Sequence, residues 1–257
     1  MTIESTKDKL LEMHLTAMHD AFIQQLENKA ACDLSFEDRF GILVDVEYTA
    51  HRNEALERLI RNADFPDRKA TVCDINYTAG RKLNRELIER LATCEYIREQ
   101  KNVFITGATG CGKTFLSNAL GLEACRNGYA TKYTRLPDFL IAMRTAKDLT
   151  YQKLLRKFSK PALLIIDEWL LMKPDENDQH FILELLEKRT YHSSTIFCSQ
   201  YQESGWYERL GGQNSPLAES ILDRIVHNSY KIDITSLDPE HSISMREVYG
   251  LDKSLSR

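Results

Sequence analysis

The sequence has no apolar stretch that approaches the ~20 residues needed to cross a bilayer. Its first residues, 1–8, contain no apolar signal region. We therefore expect a cytoplasmic protein that has no membrane partner.

Two further features are missing. None of the six cysteines belongs to a C-x-x-C pair, which argues against a zinc site and against a disulfide framework. There is no excess of basic residues, since the formal net charge is −4. This excludes a protein that coats DNA over its whole surface, but it permits a local basic patch. The 257 residues, 42% hydrophobic and 28% charged, describe a globular protein with one large domain or a domain with an appendage.

The most specific pattern is a run that fits the phosphate-binding loop G-x-x-x-x-G-K-[ST] at every fixed position. It predicts that the following residues bind a nucleotide: Gly107, Ala108, Thr109, Gly110, Cys111, Gly112, Lys113 and Thr114. Lys113 can reach the β- and γ-phosphates, and the Thr114 hydroxyl can bind Mg²⁺. Cys111 lies near a helix N-terminus, where the pKa of a thiol can be depressed, and we expect it to be sensitive to alkylation.

The pattern arises by chance in roughly one chain of this length in a hundred. Its context makes chance a poor explanation. Residues 102–106 form an apolar, β-branched run typical of a buried strand, and residues 115–125 have the spacing of a helix. A strand, a glycine loop and a helix in this order are the context in which the motif is found.

Residues 9–64 have a helical pattern throughout. Apolar residues between Leu11 and Leu26 predict one amphipathic helix, and Ser35 opens a second helix with a capping box. Its inward side chains are predicted to be Phe36, Phe40, Leu43 and Val44. The break at residues 64–67 predicts a boundary between a helical N-terminal domain, 1–66, and a second domain, 67–257.

Strands and helices alternate after residue 71. Strands are predicted at 102–106, 130–134, 162–166, 194–198 and 231–234. Helices are predicted at 115–125, 136–159 with an interruption near Asp148, 179–189 and 216–227. This alternation indicates an α/β domain in which a parallel sheet is flanked by helices.

An apolar strand ends in two carboxylates, Asp167 and Glu168, about fifty residues after the phosphate loop. Asp167 is predicted to hold Mg²⁺, and Glu168 to polarise the water that attacks the γ-phosphate. The alternative is a core strand that meets an acidic turn. Ser199 or Gln200, after the next strand, can reach the phosphate or belong to an ordinary polar turn. Arg224 and Arg246 can reach a neighbouring subunit's phosphate or form surface salt bridges.

Together these segments resemble the IstB-like ATPases, the AAA+ helper proteins of insertion-sequence transposition, which are relatives of the DnaC helicase loaders. The segments that carry the resemblance are Glu37–Phe40, Gly107–Thr114, Tyr133–Pro137, Leu164–Glu168 and Ile221–Asn228. The resemblance implies a P-loop AAA+ domain with a parallel five-stranded sheet, preceded by a small all-helical domain. It implies that Gln200 is sensor 1, Arg224 the arginine finger and Arg246 the sensor-2 arginine.

The resemblance also implies an ATPase that self-associates with ATP, binds duplex DNA with little sequence preference, and directs and stimulates a partner transposase. Two departures are visible. The family's Asp-Asp-Phe-Gly is replaced by Asp167-Glu168-Trp169-Leu170, and residues 236–241 lengthen the segment before Arg246.

A basic stretch between the second strand and the Asp167 strand is the predicted DNA contact, because lysine and arginine neutralise phosphates irrespective of base sequence. Its residues are Arg144, Lys147, Lys153, Arg156 and Lys157. Arg58 and Arg61 in the helical region are further candidates. A solvated charged face is the alternative for each.

Three other functions are alternatives for this sequence. A helicase loader binds single strands but usually begins with a segment that contacts the helicase. A small-molecule kinase needs an arginine-rich lid and does not need Glu168. A non-hydrolysing scaffold is disfavoured by the intact set Lys113, Thr114, Asp167 and Glu168.

Overall fold

The chain divides into two compact units, residues 1–58 and 59–257. The structure is a computed structural model that describes residues 2–28, 31, 33–77, 80–212, 215–227 and 229–236. In the part of the chain so described, no helix combines the length and the apolar character that a membrane crossing requires. The domain boundary expected between residues 66 and 67 stays a prediction.

The smaller unit is helical. It contains α1 (Ile3–Glu12), α2 (Thr16–Glu27) and most of α3 (Phe36–Ala63). The prediction of one helix from Leu11 to Leu26 is wrong, because His14 adopts a left-handed backbone with φ 60° and separates α1 from α2. A histidine carries no glycine-like signal for such a break.

Helix α3 begins as predicted, since the Ser35 hydroxyl accepts the N–H of Asp38 at 3.1 Å. The face predicted to be buried is wrong for Phe36, Phe40 and Val44, which are 75%, 53% and 41% exposed. Instead α3 buries Glu47, whose carboxylate accepts the N–H of Met18 in the first turn of α2 at 2.6 Å. A polar cap therefore takes the place of an apolar contact.

The larger unit is an α/β structure. Its strands are β1 (Arg81–Lys82), β2 (Asn102–Gly107), β3 (Thr131–Arg135), β4 (Leu163–Asp167), β5 (Ser194–Ser199) and β6 (Ser229–Ser236). Its helices are α4 (Arg85–Ala92), α5 (Glu95–Arg98), α6 (Lys113–Arg126), α7 (Leu136–Thr145), α8 (Asp148–Ser159), α9 (Glu176–Arg189), α10 (Trp206–Arg209) and α11 (Pro216–Val226). The predicted interruption near Asp148 is confirmed by the gap between α7 and α8.

The sheet has the strand order β1-β6-β2-β5-β4-β3. The five strands from β6 to β3 are parallel, which confirms the predicted sheet. A sixth strand, β1, pairs antiparallel with β6, and its two residues are too few for a recognisable pattern. Because β5 lies between β2 and β4, the carboxyl ends of these three neighbouring strands form one edge, where open parallel sheets bind ligands.

Helix α6 lies close to the sheet because Gly121 leaves room for its neighbours. A Cβ at this position would lie 2.7 Å from Phe65 and 2.8 Å from Ile165. Phe65, in the predicted break before the sheet, is itself buried. The segment that follows α3 thus packs on the helix that begins at the phosphate loop.

Candidate nucleotide site

The phosphate loop follows β2 and depends on glycine for its backbone. Gly107, Gly110 and Gly112 have φ values of 150°, 80° and 98°, a region that other residues enter at a cost. A Cβ on Gly107 would lie only 2.6 Å from the carbonyl oxygen of Ile234 on β6. The Arg81 guanidinium, from β1, donates to the carbonyl of Cys111 and braces the loop from the side.

Lys113 is the first residue of α6, and its ammonium lies inside the loop. Its Nζ donates to the carbonyl oxygens of Gly107 and Ala108, each at 2.7 Å. The positive charge is thereby placed at the helix N-terminus, where loop amides and the helix dipole also favour an anion.

The thiol of Cys111 does not behave as expected. Burial raises its pKa above the ordinary value, although the positive charges of Lys113 and Arg81 act in the opposite direction. The expectation of a depressed pKa is therefore wrong, because desolvation of the thiolate outweighs the helix N-terminus. The predicted sensitivity of Cys111 to alkylation depended on a depressed pKa, and burial of the thiol favours slow alkylation instead.

Thr114 and Asp167, the two residues predicted to hold Mg²⁺, are in direct contact. Asp167 is the last residue of β4. Its Oδ2 accepts the Thr114 hydroxyl at 2.7 Å and the Tyr133 hydroxyl at 2.9 Å, and its Oδ1 accepts the N–H of Glu168 at 2.8 Å. Oxygen atoms from a hydroxyl and a carboxylate are the donors that Mg²⁺ prefers, so these residues fit the ion. Burial and the Asp167 carboxylate both raise the pKa of Tyr133, which keeps it a hydrogen-bond donor.

Glu168 turns away from the strand direction with a φ of 55°. Its carboxylate forms an ion pair with Arg135, the last residue of β3, at 2.8 Å between Oε2 and Nη2. The two carboxylates that the sequence places in tandem thus have different partners: the hydroxyls of Thr114 and Tyr133 for the buried Asp167, and the exposed guanidinium of Arg135 for Glu168.

Gln200 directly follows β5, between the strand of the phosphate loop and the strand of Asp167, and it is exposed. The alternative, Ser199, is engaged within the fold. Its hydroxyl donates to the Trp169 carbonyl at 2.9 Å and accepts the N–H of Tyr201 at 3.1 Å. Gln200 is therefore the residue of this pair that remains a candidate for contact with the phosphate.

Arg224 lies at the opposite edge of the sheet. It lines a cavity of about 520 Å³ together with Asn102 and Thr195, at the amino ends of β2 and β5. Its guanidinium donates to Glu187 at 2.9 Å and to the Ser220 carbonyl at 2.8 Å. The length of β2, roughly 16 Å, separates it from the phosphate loop of its own chain. Arg246 lies outside the described residues.

The model of the IstB-like ATP-binding protein family matches residues 8–242. The chain belongs to this family. An insertion-sequence ATP-binding protein of Sinorhizobium fredii is 35% identical over 236 residues, covering 91% of this chain and 95% of the relative. The IS1162 ATP-binding protein of Pseudomonas fluorescens is 36% identical over 205 residues, covering 79% and 89%.

Solved structures resemble the IstB-like chain in fold. DnaI aligns with a TM-score of 0.55 and 20% identity, over 70% of this chain and 94% of that one. The replication initiator DnaA, bound to AMPPCP and single-stranded DNA, aligns with a TM-score of 0.55 and 21% identity, over 73% and 65%. At these identities the likeness supports the P-loop AAA+ architecture and nothing finer.

The basic residues of this IstB-like protein have different surroundings. Lys147, Lys153 and Arg156, at or near α8, are exposed. The end of α8 is held from within by the buried Arg189, which donates to the carbonyls of Phe158 and Ser159 at 3.0 and 3.1 Å.

The other residues predicted to contact DNA either form ion pairs with carboxylates or lie on α3. Arg144 donates to Asp178 at 2.7 Å and to Asp175 at 3.0 Å, which ties α7 to the N-terminus of α9. The Nζ of Lys157 lies 3.7 Å from Oδ2 of Asp64, within ion-pair distance. Arg58 and Arg61 are exposed on α3, on either side of the boundary between the units.

Two residues, Tyr133 and Arg81, contribute to the site but were not predicted from the sequence to do so. Tyr133 was noted only as part of a family string, and Arg81 was not noted at all. A tyrosine two residues before the end of a strand next to the Asp167 strand was the available signal for the first. Arg81 gave no signal, because its partner lies 30 residues away.

Proposed function

We propose that this protein is a Mg²⁺-dependent ATPase that assembles on duplex DNA with little sequence preference and directs a partner transposase. The observation that carries the proposal is the cluster at the sheet edge. There the Thr114 hydroxyl and the Asp167 carboxylate lie 2.7 Å apart, beside the lysine of a complete phosphate loop, and Glu168 follows directly.

Hydrolysis requires an attacking water, a charge-stabilised γ-phosphate and a leaving ADP. Glu168 accepts the proton of the water as its oxygen bonds to the γ-phosphorus and the bond to the β-γ bridging oxygen breaks. Lys113 and the loop amides stabilise the phosphate oxygens. Thr114 and Asp167 would hold a Mg²⁺ ion, which would supply positive charge to the phosphate oxygens. Arg135 fixes the direction of Glu168 through their ion pair.

The position of Arg224 supports the proposed self-association. A side chain at the amino ends of the strands cannot reach the phosphate loop at their carboxyl ends within one chain. As an arginine finger it therefore acts on the nucleotide of a neighbouring copy, which makes hydrolysis depend on self-association. In this proposal Gln200 senses the γ-phosphate, and Arg246 supplies a second sensor.

Duplex binding is assigned to the exposed cations of α8 and the residue before it, with Arg144, Arg58 and Arg61 as further contacts. Lysine and arginine on one helix give affinity that is independent of base sequence and falls steeply with salt. The transposase partner is supported by the relatives, whose names place them in insertion sequences.

The first test is fluorescence anisotropy of a labelled duplex and a labelled single strand, titrated with protein in ATP and in ADP, alongside steady-state ATP hydrolysis. We expect duplex binding that requires ATP and is lost in Lys113→Ala. Preference for the single strand would instead favour a helicase loader. Absence of binding to either strand would refute the DNA role.

The role of α8 is tested by Arg156→Glu with Lys153→Glu. We expect duplex affinity to fall about 100-fold at moderate salt, because two phosphate contacts become repulsive. The matched control is Lys188→Glu with Arg85→Glu, which makes the same charge change on α9 and α4. Equal losses in the two double variants would show that net charge, and not this helix, determines binding. ATP-dependent retention of the transposase from the same insertion sequence on DNA then tests the partner.

A further inference from the structure

The turn that carries Glu168 has an unusual backbone. Glu168 and Leu170 both have a φ of 55°, a left-handed conformation in which residues other than glycine are strained. Between them Trp169 is fully buried, and so is Leu170. Within the turn, the N–H of Leu171 donates to the Glu168 carbonyl at 3.0 Å. The residue types themselves do not favour the left-handed conformation, so contacts from elsewhere in the fold also hold it.

Strand β5 supplies the first of these contacts. The N–H of Trp169 donates to the Cys198 carbonyl at 2.8 Å, and the Ser199 hydroxyl donates to the Trp169 carbonyl at 2.9 Å. These bonds fix the middle of the turn. They leave the carbonyls of the next two residues to another partner.

That partner is Arg209, the last residue of α10. Its Nε donates to the carbonyl of Leu170, and its Nη2 donates to the carbonyl of Leu171 at 2.5 Å. The guanidinium lies 4.0 Å from the centre of the Tyr201 ring, and the Tyr201 carbonyl accepts the indole N–H of Trp206 at 3.0 Å. One planar group is thus stacked on an aromatic ring while it binds two successive carbonyls.

We propose that Arg209 is a positioning residue for ATP hydrolysis, which acts by holding the left-handed turn and so the direction of Glu168. The inference rests on the proposed function. Arg209 touches neither the phosphate loop nor the Thr114–Asp167 pair, which have their own contacts. Loss of its guanidinium therefore affects the chemical step and leaves ATP binding intact. Through its contact with the Tyr201 ring, Arg209 also links the turn to the segment after β5, which begins with Gln200.

The test compares Arg209→Met, which keeps the length of the side chain but removes the donors, with the exposed control Arg85→Met. We expect kcat for ATP to fall about 30-fold in Arg209→Met, because small displacements of a reacting group have large effects on rate. The dissociation constant for ATP, measured by calorimetry, should stay within about twofold. A kcat within about twofold of the control would overturn the proposal.

A purely structural role is separated by two further variants. Arg209→Lys keeps the charge and one donor, so we expect its kcat to fall below that of the wild type by less than about 30-fold. This comparison needs only the wild type and the lysine variant, so it holds even if Arg209→Met does not fold. Combining Arg209→Met with Glu168→Gln should reduce single-turnover hydrolysis by less than about threefold beyond Glu168→Gln alone, since Arg209 acts through Glu168. A second full loss of about 30-fold would overturn the inference.

Different results would refute the proposed function and the proposed role of Arg209. Absence of ATP hydrolysis by the wild-type protein on duplex DNA would refute the proposed function, and this inference with it. Hydrolysis by the wild type together with unchanged rates in Arg209→Met would refute only the role of Arg209.

Discussion

The phosphate loop and the Glu168 turn lie at the same sheet edge, yet they reach positive φ angles by different means. The loop places glycine at Gly107, Gly110 and Gly112, where the conformation costs little. The turn places Glu168 and Leu170 in the left-handed region, and it depends on hydrogen bonds from β5 and Arg209.

The difference separates local from tertiary control of a site. Glycine residues let a loop adopt positive φ angles at little cost, so such a loop can be recognised from its own residues. A strained turn without glycine depends on residues distant in sequence, so its geometry can change with theirs. One half of the site is therefore preorganised by its own sequence, and the other half by the surrounding fold.

The comparison is tested most severely by Gly107→Ala. The added Cβ would meet the Ile234 carbonyl at 2.6 Å and the Cys111 sulfur at 2.8 Å. We expect ATP affinity to fall by at least about 100-fold and the unfolding free energy by about 3 kcal/mol, from steric overlap and backbone strain. Calorimetry and urea denaturation measure the two effects.

The matched control for that variant is Gly128→Ala, at a φ of 83° with no atom within 4 Å of the added carbon. It should lose only about 1 kcal/mol and keep its ATP affinity. Equal effects of the two substitutions would mean that close approach, as distinct from φ, is irrelevant in the phosphate loop.

Tyr133→Phe tests the residue where the two regions meet. Removal of the hydroxyl deprives Asp167 of one of its donors, so we expect about 10-fold more Mg²⁺ to be needed for half-maximal ATP hydrolysis. Because the raised pKa of Tyr133 keeps the hydroxyl protonated, the effect should be the same at pH 7 and pH 9. Tyr129→Phe is the control, and an unchanged Mg²⁺ requirement in Tyr133→Phe would contradict the role of the hydroxyl.

Leu170 tests the strain of the turn directly. Both Leu170→Ala and Leu170→Gly lose a buried side chain, at a cost of about 2–5 kcal/mol in unfolding free energy. At a φ of 55° the glycine variant should be the more stable by about 1 kcal/mol, because it alone relieves the strain. Urea denaturation gives both values.

Leu210 provides the reference for this pair, since it is equally buried but has a φ of −94°. There alanine should be more stable than glycine. If alanine is also the better residue at position 170, the turn is not strained in the way described.

The smallest expected effect is on the rate at which Cys111, in the phosphate loop, reacts with an alkylating reagent from solvent. Burial raises the pKa of Cys111, so little thiolate is present at pH 7.5. We expect iodoacetamide to modify Cys111 several-fold more slowly than the exposed Cys73, with a rate that rises with pH as the thiolate forms. Peptide mass spectrometry follows both sites, and equal rates would show that the loop is open to solvent.

Much of the sheet and its edge could be predicted because the signals are local. The glycine loop, the apolar strand before Asp167 and the break between α7 and α8 each lie within a few consecutive residues. Parallel strands then bring the carboxyl ends together without further information. Thr114 and Asp167, 53 residues apart, meet for this reason.

The missed features have different physical origins. Leu170 adopts a left-handed backbone that its residue type disfavours, and contacts from distant parts of the chain help to hold it. The left-handed His14 ends α1 through local hydrogen bonds from the N–H groups of His14 and Leu15, but histidine does not mark such an end as glycine does. The partners of Arg81 and Arg209 lie 30 and 39 residues away in sequence. The exposed face of α3 was missed because periodicity identifies an apolar face but does not show what covers it.

The aromatic packing beside the Glu168 turn has an optical consequence. The chain contains two tryptophans, and both belong to one cluster in which the rings of Trp169 and Trp206 are 6.3 Å apart. Trp169 follows Glu168 directly, and Trp206 lies on the same short helix as Arg209. The intrinsic tryptophan emission of the protein therefore originates at this turn, and its spectrum reports on the Glu168 side of the site without any attached label.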